Sequence, residues 1–232
     1  MRRSAIAVMT IVVVVCATAV SAQTRRPFVY RDVPHAGSWE IGGGVIWTGG
    51  FTGPTSSAEL TRNGETSGGF DLFTAAGEMK GGAGVNARLG VFVSRKVAIE
   101  GGFRFSQPTV NYRLSGDAEE AAETTATETL SRYVFTGSLL VHLRRMGPGV
   151  SMVPFIAGGA GYVRDLHDGN ELMETGTEFH GVAGLKYWFN ATAQRRFGIR
   201  GEAGVSMTDG GFDFSDKSRV VPIASASLVY LF

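Results

Sequence analysis

The sequence predicts an all-β fold, an antiparallel up-and-down transmembrane β-barrel of eight strands. Three observations predict this fold. Eight segments alternate apolar and polar residues with the period of two that β-strands have. The connections between these segments are short and long in turn, and aromatic residues recur at the segment ends, as at Tyr230 and Phe232.

The first 22 residues have the layout of a secretory signal peptide. Arg2 and Arg3 give a positive start, an uncharged and mostly apolar run follows, and small residues lead up to Ala22. The run is shorter than the ~20 residues that a membrane-spanning helix needs, so we expect cleavage after Ala22. The expected organisation is a signal peptide over 1–22, a periplasmic N-terminal extension over 23–37 and a barrel domain over 38–232.

Charge and cysteine content exclude several classes of function. Cleavage would remove Arg2 and Arg3, leaving 20 basic residues against 21 acidic ones and a net charge of −1. Without a basic excess, nucleic acid is not expected as a partner. The single cysteine, Cys16, lies in the segment expected to be removed, so disulfides and thiolate metal sites are not expected. We expect no cofactor and no metal.

The first four predicted strands each have one apolar register. They span 39–47, 83–93, 97–105 and 131–143. Their apolar registers contain Trp39, Ile41, Val45 and Trp47, then Val85, Leu89 and Val93, then Val97, Ile99 and Phe103, and finally Tyr133, Phe135, Leu139 and Val141. Their lengths of 9 to 13 residues are close to the ~9–11 residues of tilted strands that cross a bilayer.

The last four predicted strands repeat the pattern with one exception. They span 153–163, 178–189, 197–207 and 222–232, and the first of these is rich in glycine, so its register is ambiguous. The other three have apolar registers that contain Phe179, Leu185 and Tyr187, then Phe197, Ile199 and Val205, and then Leu228, Tyr230 and Phe232.

Ionisable residues within the predicted strands all lie opposite the apolar register. They are Glu40, Arg88, Glu100, Arg104, Arg132, His142, Glu178, His180, Lys186, Arg200 and Glu202. A soluble sandwich would turn the apolar faces inward, whereas a membrane barrel turns them to lipid and encloses the charges. Periodicity does not separate these two folds. The signal peptide, the aromatic strand ends and the C-terminal pattern favour the membrane barrel.

The connections divide by length and by charge. The short ones are 94–96, 144–151 and 190–196, and the long ones are 48–82, 106–130, 164–177 and 208–221. Sixteen of the 21 carboxylates lie in the long connections, which we expect to be external loops. The short turns contain basic residues and no acidic one: Arg95, Lys96, Arg144, Arg145, Arg195 and Arg196. In the first long connection, residues 69–73 either extend a strand above the membrane or add a hairpin, which would make ten strands.

The alternation, the turn lengths and the ending Leu228-Val-Tyr-Leu-Phe232 together resemble the eight-stranded bacterial outer-membrane β-barrel class. The transmembrane domain of outer-membrane protein A is its best-known member. The resemblance implies location in the outer membrane, in contact with its lipid and lipopolysaccharide, and a monomeric state. It also implies that barrel-assembly machinery reads Leu228, Tyr230 and Phe232 as an assembly signal.

The enclosed charges are the candidate functional residues. An eight-stranded barrel has room inside only for its side chains, and a desolvated charge is costly unless it is paired. We therefore expect a lumen network of cross-strand ion pairs, formed by Glu40, Arg88, Glu100, Arg104, Arg132, Glu178, His180, Lys186, Arg200 and Glu202.

Three functions are compatible with such a barrel. The leading hypothesis is a non-enzymatic barrel that supports envelope integrity or surface interaction through its acidic loops. The alternative is a narrow or gated small-solute channel whose gate is an ion pair. A lipid-A-modifying enzyme would need a nucleophile, a base and an acid, for which Ser206, His180 and Glu178 are the candidates. No compact His-x-Ser motif supports that third hypothesis.

Overall fold

Thirteen β-strands lie in the part of the chain that the computed structural model describes: residues 34–60, 70–116, 123–147, 149–167, 173–191, 195–210 and 218–232. They are β1 (Trp39–Thr48), β2 (Phe51–Thr52), β3 (Ser56–Leu60), β4 (Phe70–Met79), β5 (Gly82–Phe92), β6 (Val97–Ser106), β7 (Thr109–Ser115), β8 (Thr124–Thr129), β9 (Ser131–His142), β10 (Met152–Leu166), β11 (Met173–Trp188), β12 (Arg196–Gly210) and β13 (Arg219–Leu231). The expected signal peptide and residues 23–33 of the expected extension lie outside these ranges. None of the described residues forms a helix that is long and apolar enough to cross a membrane.

Eight of the strands close into an antiparallel barrel in the order β1-β13-β12-β11-β10-β9-β6-β5. The first and last barrel strands pair along their lengths, from Glu40 opposite Leu231 to Thr48 opposite Ile223. At the end of this seam, Trp39 and Phe232 exchange two backbone hydrogen bonds of 2.9 Å. The predicted eight-stranded fold is confirmed.

The remaining five strands form a second sheet in the order β2-β4-β7-β8, with β3 also paired to β4. Each of β2, β4, β7 and β8 adjoins a barrel strand in sequence, namely β1, β5, β6 and β9, and the order matches the barrel order. The alternative of ten barrel strands is therefore wrong, because residues 70–79 form β4 of this sheet. The expectation that 48–82 and 106–130 are loops is also wrong, because the first contains β2, β3 and β4 and the second contains β7 and β8.

Short interruptions separate the two sheets. Lys80 and Gly81 lie between β4 and β5, and Gln107 and Pro108 lie between β6 and β7. Proline has no backbone N–H to give to a strand partner, so Pro108 only accepts, from the N–H of Leu130 at 3.0 Å. A Cβ at Gly81 would lie 2.8 Å from the carbonyl oxygen of Thr48, and glycine permits this close approach.

The outer surface of the barrel is apolar. Side chains in the predicted apolar registers point outward on every strand, with exposed fractions of 60% for Val45 and 52% for Leu139. On the fifth barrel strand, whose register the sequence left open, Ile156 and Tyr162 point outward and Phe155 and Val163 are buried. The period-two pattern thus sorts residues between the inside and the outside of the barrel.

Aromatic side chains cluster at both ends of this outer surface. At the end with the short turns, Phe189 lies between Tyr187 and Phe197, with ring centroids 5.5 and 5.7 Å away. At the end with the long connections, Phe103 contacts Phe135 with centroids 5.2 Å apart. We call these two ends the turn end and the mouth.

Candidate functional site

An apolar plug fills the barrel interior at the turn end. It consists of Phe92, Ala98, Leu140, Met146, Val153, Phe155, Ala157, Trp188, Ala191, Val229 and Leu231. Met146 and Ala191 come from the short turns and lie beneath the inward side chains of the strands. Trp188 and Leu231 are completely buried. Large apolar side chains therefore occupy the interior at this end.

A buried lysine lies directly above the plug. Lys186 donates from Nζ to both carboxylate oxygens of Glu40, at 2.6 and 2.8 Å. The same Nζ lies 5.8 and 5.5 Å from the ring centroids of Phe92 and Phe155. Lys186 is fully buried and Glu40 is 2% exposed. The ammonium is thus held between a carboxylate and two aromatic faces.

Two arginines and two glutamates complete this layer. Arg200 donates from Nη1 to both oxygens of Glu100, at 2.8 and 3.0 Å, and its Nη2 lies 2.6 Å from Glu202. Arg88 makes a bidentate contact with Glu202, at 3.0 and 2.8 Å. We call the six residues Glu40, Arg88, Glu100, Lys186, Arg200 and Glu202 the turn-side network. Its three formal positive charges equal its three negative ones.

A second group of charges lies nearer the mouth. Arg104 pairs with Glu178, and Arg132 donates from Nε and Nη2 to the two carboxylate oxygens of Asp165, at 2.7 and 2.8 Å. Asp165 is completely buried and Arg132 is 9% exposed. Because each arginine has its own carboxylate, this mouth-side network is also neutral.

A serine, a histidine and a glutamate meet between the two networks. Ser138 Oγ lies 2.9 Å from His180 Nε2, and His180 Nδ1 lies 3.6 Å from Glu178 Oε1. This is the order of groups in a serine hydrolase, but the second distance exceeds that of a hydrogen bond, and Glu178 already binds Arg104. Ser206 lies across the β11–β12 ladder from His180. The arrangement therefore lacks an orienting acid for the imidazole.

The space beside these groups is too small for a lipid substrate. A cavity of about 50 Å³ is lined by Ser138 and His180 together with Arg88, Arg104 and Glu202. Such a volume holds only a few water molecules, whereas ligand pockets typically measure ~300–1,000 Å³. The geometry favours a polar interior over a catalytic centre.

At the mouth, one histidine joins the second sheet to the barrel. His167, which follows β10, lies 2.9 Å from Glu128 of β8 and 3.9 Å from Glu174 of β11. Burial, with the nearby carboxylates of Glu128 and Glu174, raises the pKa of Tyr112 above its ordinary value. Among the residues that the structure describes, no group of three or more His, Cys, Asp or Glu side chains is arranged to hold a metal ion.

Nine of the ten sequence-predicted lumen residues fall into the two networks, and His180 lies between them. Three further features were not predicted from the sequence. Asp165 falls in the long connection that the sequence predicts over 164–177, but it lies in β10 and binds Arg132. Ser138, which the sequence did not single out, is the hydroxyl that contacts His180. The apolar plug was not predicted either. The alternation of Val153, Phe155 and Ala157 was the available signal for the plug, but glycines further along the strand obscured it.

No protein-family model and no curated protein matches the sequence. Solved structures of similar fold include the outer membrane protein OprG from Pseudomonas aeruginosa, at 12% identity and a TM-score of 0.49, where 85% of this chain covers 97% of that one. The N-terminal β-barrel domain of OprF from the same organism matches at 13% identity, with coverages of 87% and 100% and a TM-score of 0.41. Ail, the attachment invasion locus protein of Yersinia pestis, matches at 14% identity, with coverages of 85% and 99% and a TM-score of 0.43. The fold assignment rests on the strand pairing described above.

Proposed function

We propose that the chain is a non-enzymatic integral barrel of the bacterial outer membrane, with a closed, charge-paired interior and a structural or surface-interaction role at the cell surface. The observation that carries the proposal is the division of side chains between the two faces of the barrel wall. Apolar residues such as Val45, Leu139 and Val205 are more than half exposed, while Lys186 and Arg200 are buried. A wall of this kind is suited to hydrocarbon outside and ion pairs inside.

The dimensions of the apolar surface support this environment. Trp39 and Trp47 lie at opposite ends of the outward register of β1, eight residues apart. At ~3.3 Å per residue and a tilt of ~40°, they are separated by ~20 Å along the barrel axis. The apolar band of outer-membrane barrels is ~25 Å tall, with aromatic girdles at both edges. Soluble monomers rarely expose an apolar patch above several hundred Å².

The plug supports a closed barrel over a solute channel. Trp188, Phe92 and Leu231 are 0–1% exposed and occupy the interior where a conducting path would leave the barrel. Each residue of the turn-side network has an oppositely charged partner within 3.0 Å. Opening a path would mean separating these pairs in a medium of low dielectric constant, which is costly.

The second sheet is the part of the molecule that the proposal assigns to surface interaction. Its strands β4, β7 and β8 lie beyond the mouth, and Phe73 and Leu114 on them are 39% and 45% exposed. The proposal also includes a monomeric state, contact with outer-membrane lipid and lipopolysaccharide, and recognition by barrel-assembly machinery of Leu228, Tyr230 and Phe232. These three side chains point outward on β13 and just after it.

Planar-bilayer recording tests the closed barrel against the channel. We expect purified protein that shows heat-modifiable gel mobility to insert without reproducible conductance steps, because the plug and both networks obstruct the interior. Open steps that change size in an Arg88→Gln or Glu100→Gln variant would contradict the closed interior and support the channel. Mass spectrometry of lipid A from cells with and without the protein tests the non-enzymatic assignment, and a change in acylation would contradict it.

A further inference from the structure

The turn end of the barrel carries a cluster of exposed cations. Arg95 and Lys96 lie between β5 and β6, Arg144 and Arg145 lie between β9 and β10, and Arg195 precedes β12. Arg196 is not part of this cluster, because it is buried and donates to the carbonyl oxygen of Gly147. Among the described residues of the turn end, 34–38, 93–97, 143–147, 149–151, 189–191, 195 and 232, there is no Asp or Glu side chain. The described part of the turn end therefore carries an excess of positive charge.

Local hydrogen bonds hold two of these turns in place. In the first turn, Ser94 Oγ accepts from the backbone N–H groups of Lys96 and Val97, at 3.2 and 3.1 Å. In the third, Asn190 accepts from the N–H of Phe197 at 2.8 Å and donates to the carbonyl oxygen of Arg195 at 2.8 Å. The backbone that carries these cations is thus fixed with respect to the barrel wall.

The depth of the cations identifies the layer that they meet. Arg144 directly follows Leu143, which is 56% exposed at the edge of the apolar surface, and Arg95 comes two residues after Val93, which is 48% exposed. One to three residues correspond to ~3–10 Å beyond the edge. The polar layer of a bilayer extends ~5–7 Å beyond the hydrocarbon on each side. The guanidinium and ammonium groups therefore lie at the depth of lipid phosphates.

We infer that the turn end is a binding surface for anionic phospholipid, whose headgroup phosphates pair with Arg95, Lys96, Arg144, Arg145 and Arg195. This inference rests on the proposed membrane location. Arginine and lysine are the side chains that bind phosphate best, and a cation near an anionic membrane surface contributes about 1 kcal/mol, or about fivefold in affinity. A cell-wall polymer or an acidic protein would lie beyond the headgroup layer. Because the cations lie at the edge of the apolar surface, their position favours lipid as the partner.

Lipid selectivity of the folded barrel tests the inference. The full chain is reconstituted in phosphatidylcholine vesicles that contain either spin-labelled phosphatidylglycerol or spin-labelled phosphatidylcholine. The fraction of motionally restricted label is then measured. We expect about a twofold preference for phosphatidylglycerol, since only the part of the lipid shell at the turn end meets the cations. The preference should fall to unity in the R95Q/K96Q/R144Q/R145Q/R195Q variant and in wild type at 0.5 M NaCl.

Variants that neutralise one turn at a time, and a control variant outside the turn end, show whether the turn-end cations cause the lipid preference. R95Q/K96Q and R144Q/R145Q should each lose part of the preference, whereas R113Q, which neutralises an exposed cation on β7 further beyond the mouth, should retain it. A restricted component of equal size for both lipids in wild type would overturn the inference and leave the membrane barrel intact. Loss of any restricted component together with loss of heat-modifiable mobility would instead contradict the proposed function. Binding of wild type, but not of the five-fold variant, to purified cell-wall sacculi without lipid preference would overturn the inference in favour of a polymer partner.

Discussion

Replacing Lys186 with methionine is expected to lower the free energy of unfolding by about 3–5 kcal/mol. The substitution removes the ammonium that contacts both oxygens of Glu40 and leaves that carboxylate buried, at 2% exposure, without its partner. Because methionine fills a similar volume, the loss in the free energy of unfolding comes mainly from the unpaired charge and not from a cavity. Urea titration of protein folded in phospholipid vesicles, followed by tryptophan fluorescence, measures the change.

A double variant distinguishes the effect of an unpaired charge from the effect of changing the Lys186 side chain. The Glu40→Gln/Lys186→Met protein should recover much of the lost stability, because neither position then holds an unpaired charge. Arg113→Met is the matched control. Its pair with Glu123 spans 3.3 Å, but the two side chains are 63% and 52% exposed, so the expected loss is only ~0–1 kcal/mol. Equal losses for Lys186→Met and Arg113→Met would show that burial of the turn-side network has no energetic consequence.

Replacing Leu139 with arginine is expected to cost ~2–4 kcal/mol in the same vesicles. Leu139 points outward near the middle of the outward positions from Tyr133 to Leu143, and it is 52% exposed. If lipid surrounds it, the guanidinium must enter the hydrocarbon or bend away from it. In a water-soluble sheet the same substitution at an exposed position would cost within ~0.5 kcal/mol.

Leu114→Arg supplies the control for this second prediction. Leu114 has a similar exposure of 45%, but it lies on β7 of the second sheet, beyond the mouth. We expect its substitution to leave the urea midpoint nearly unchanged. If both arginine variants unfold at the wild-type urea concentration, the outer surface of the barrel faces water and the membrane assignment is wrong.

Side-chain period explains why the barrel was predictable from the sequence. A strand that separates two media must alternate, and seven of the eight barrel strands do so clearly enough to place Glu40, Lys186 and Arg200 inside. The strand limits also agree to within a few residues at the turn end, where tight turns end the pattern abruptly. At the mouth, β10 to β13 continue three to five residues beyond the predicted limits. The reason is that β10 and β11, and likewise β12 and β13, stay paired beyond the apolar outer surface of the barrel.

Partners within the barrel were not predictable in the same way. Lys186 and Glu40 are 146 residues apart in sequence, and Arg200 reaches Glu100 across the interior and not along a ladder. The two-residue period predicts whether a side chain points into or out of the barrel. Which inward side chains lie at the same height along the barrel axis depends on the shear, which is the stagger of the strands around the closed barrel. Asp165 was missed because its charge suggested a loop, and the second sheet was missed because Lys80–Gly81 and Gln107–Pro108 interrupt the alternation.

Quenching of the three tryptophans by brominated lipid tests the central claim most directly, since Trp39 and Trp47 point outward and Trp188 is sealed in the plug. Single-tryptophan proteins, made by replacing the other two with phenylalanine, are folded into vesicles of bromine-labelled phosphatidylcholine. We predict strong quenching of Trp39 and Trp47 relative to unlabelled vesicles and no quenching of Trp188. Unquenched Trp39 and Trp47, or a quenched Trp188, would contradict a barrel with lipid outside and a closed interior.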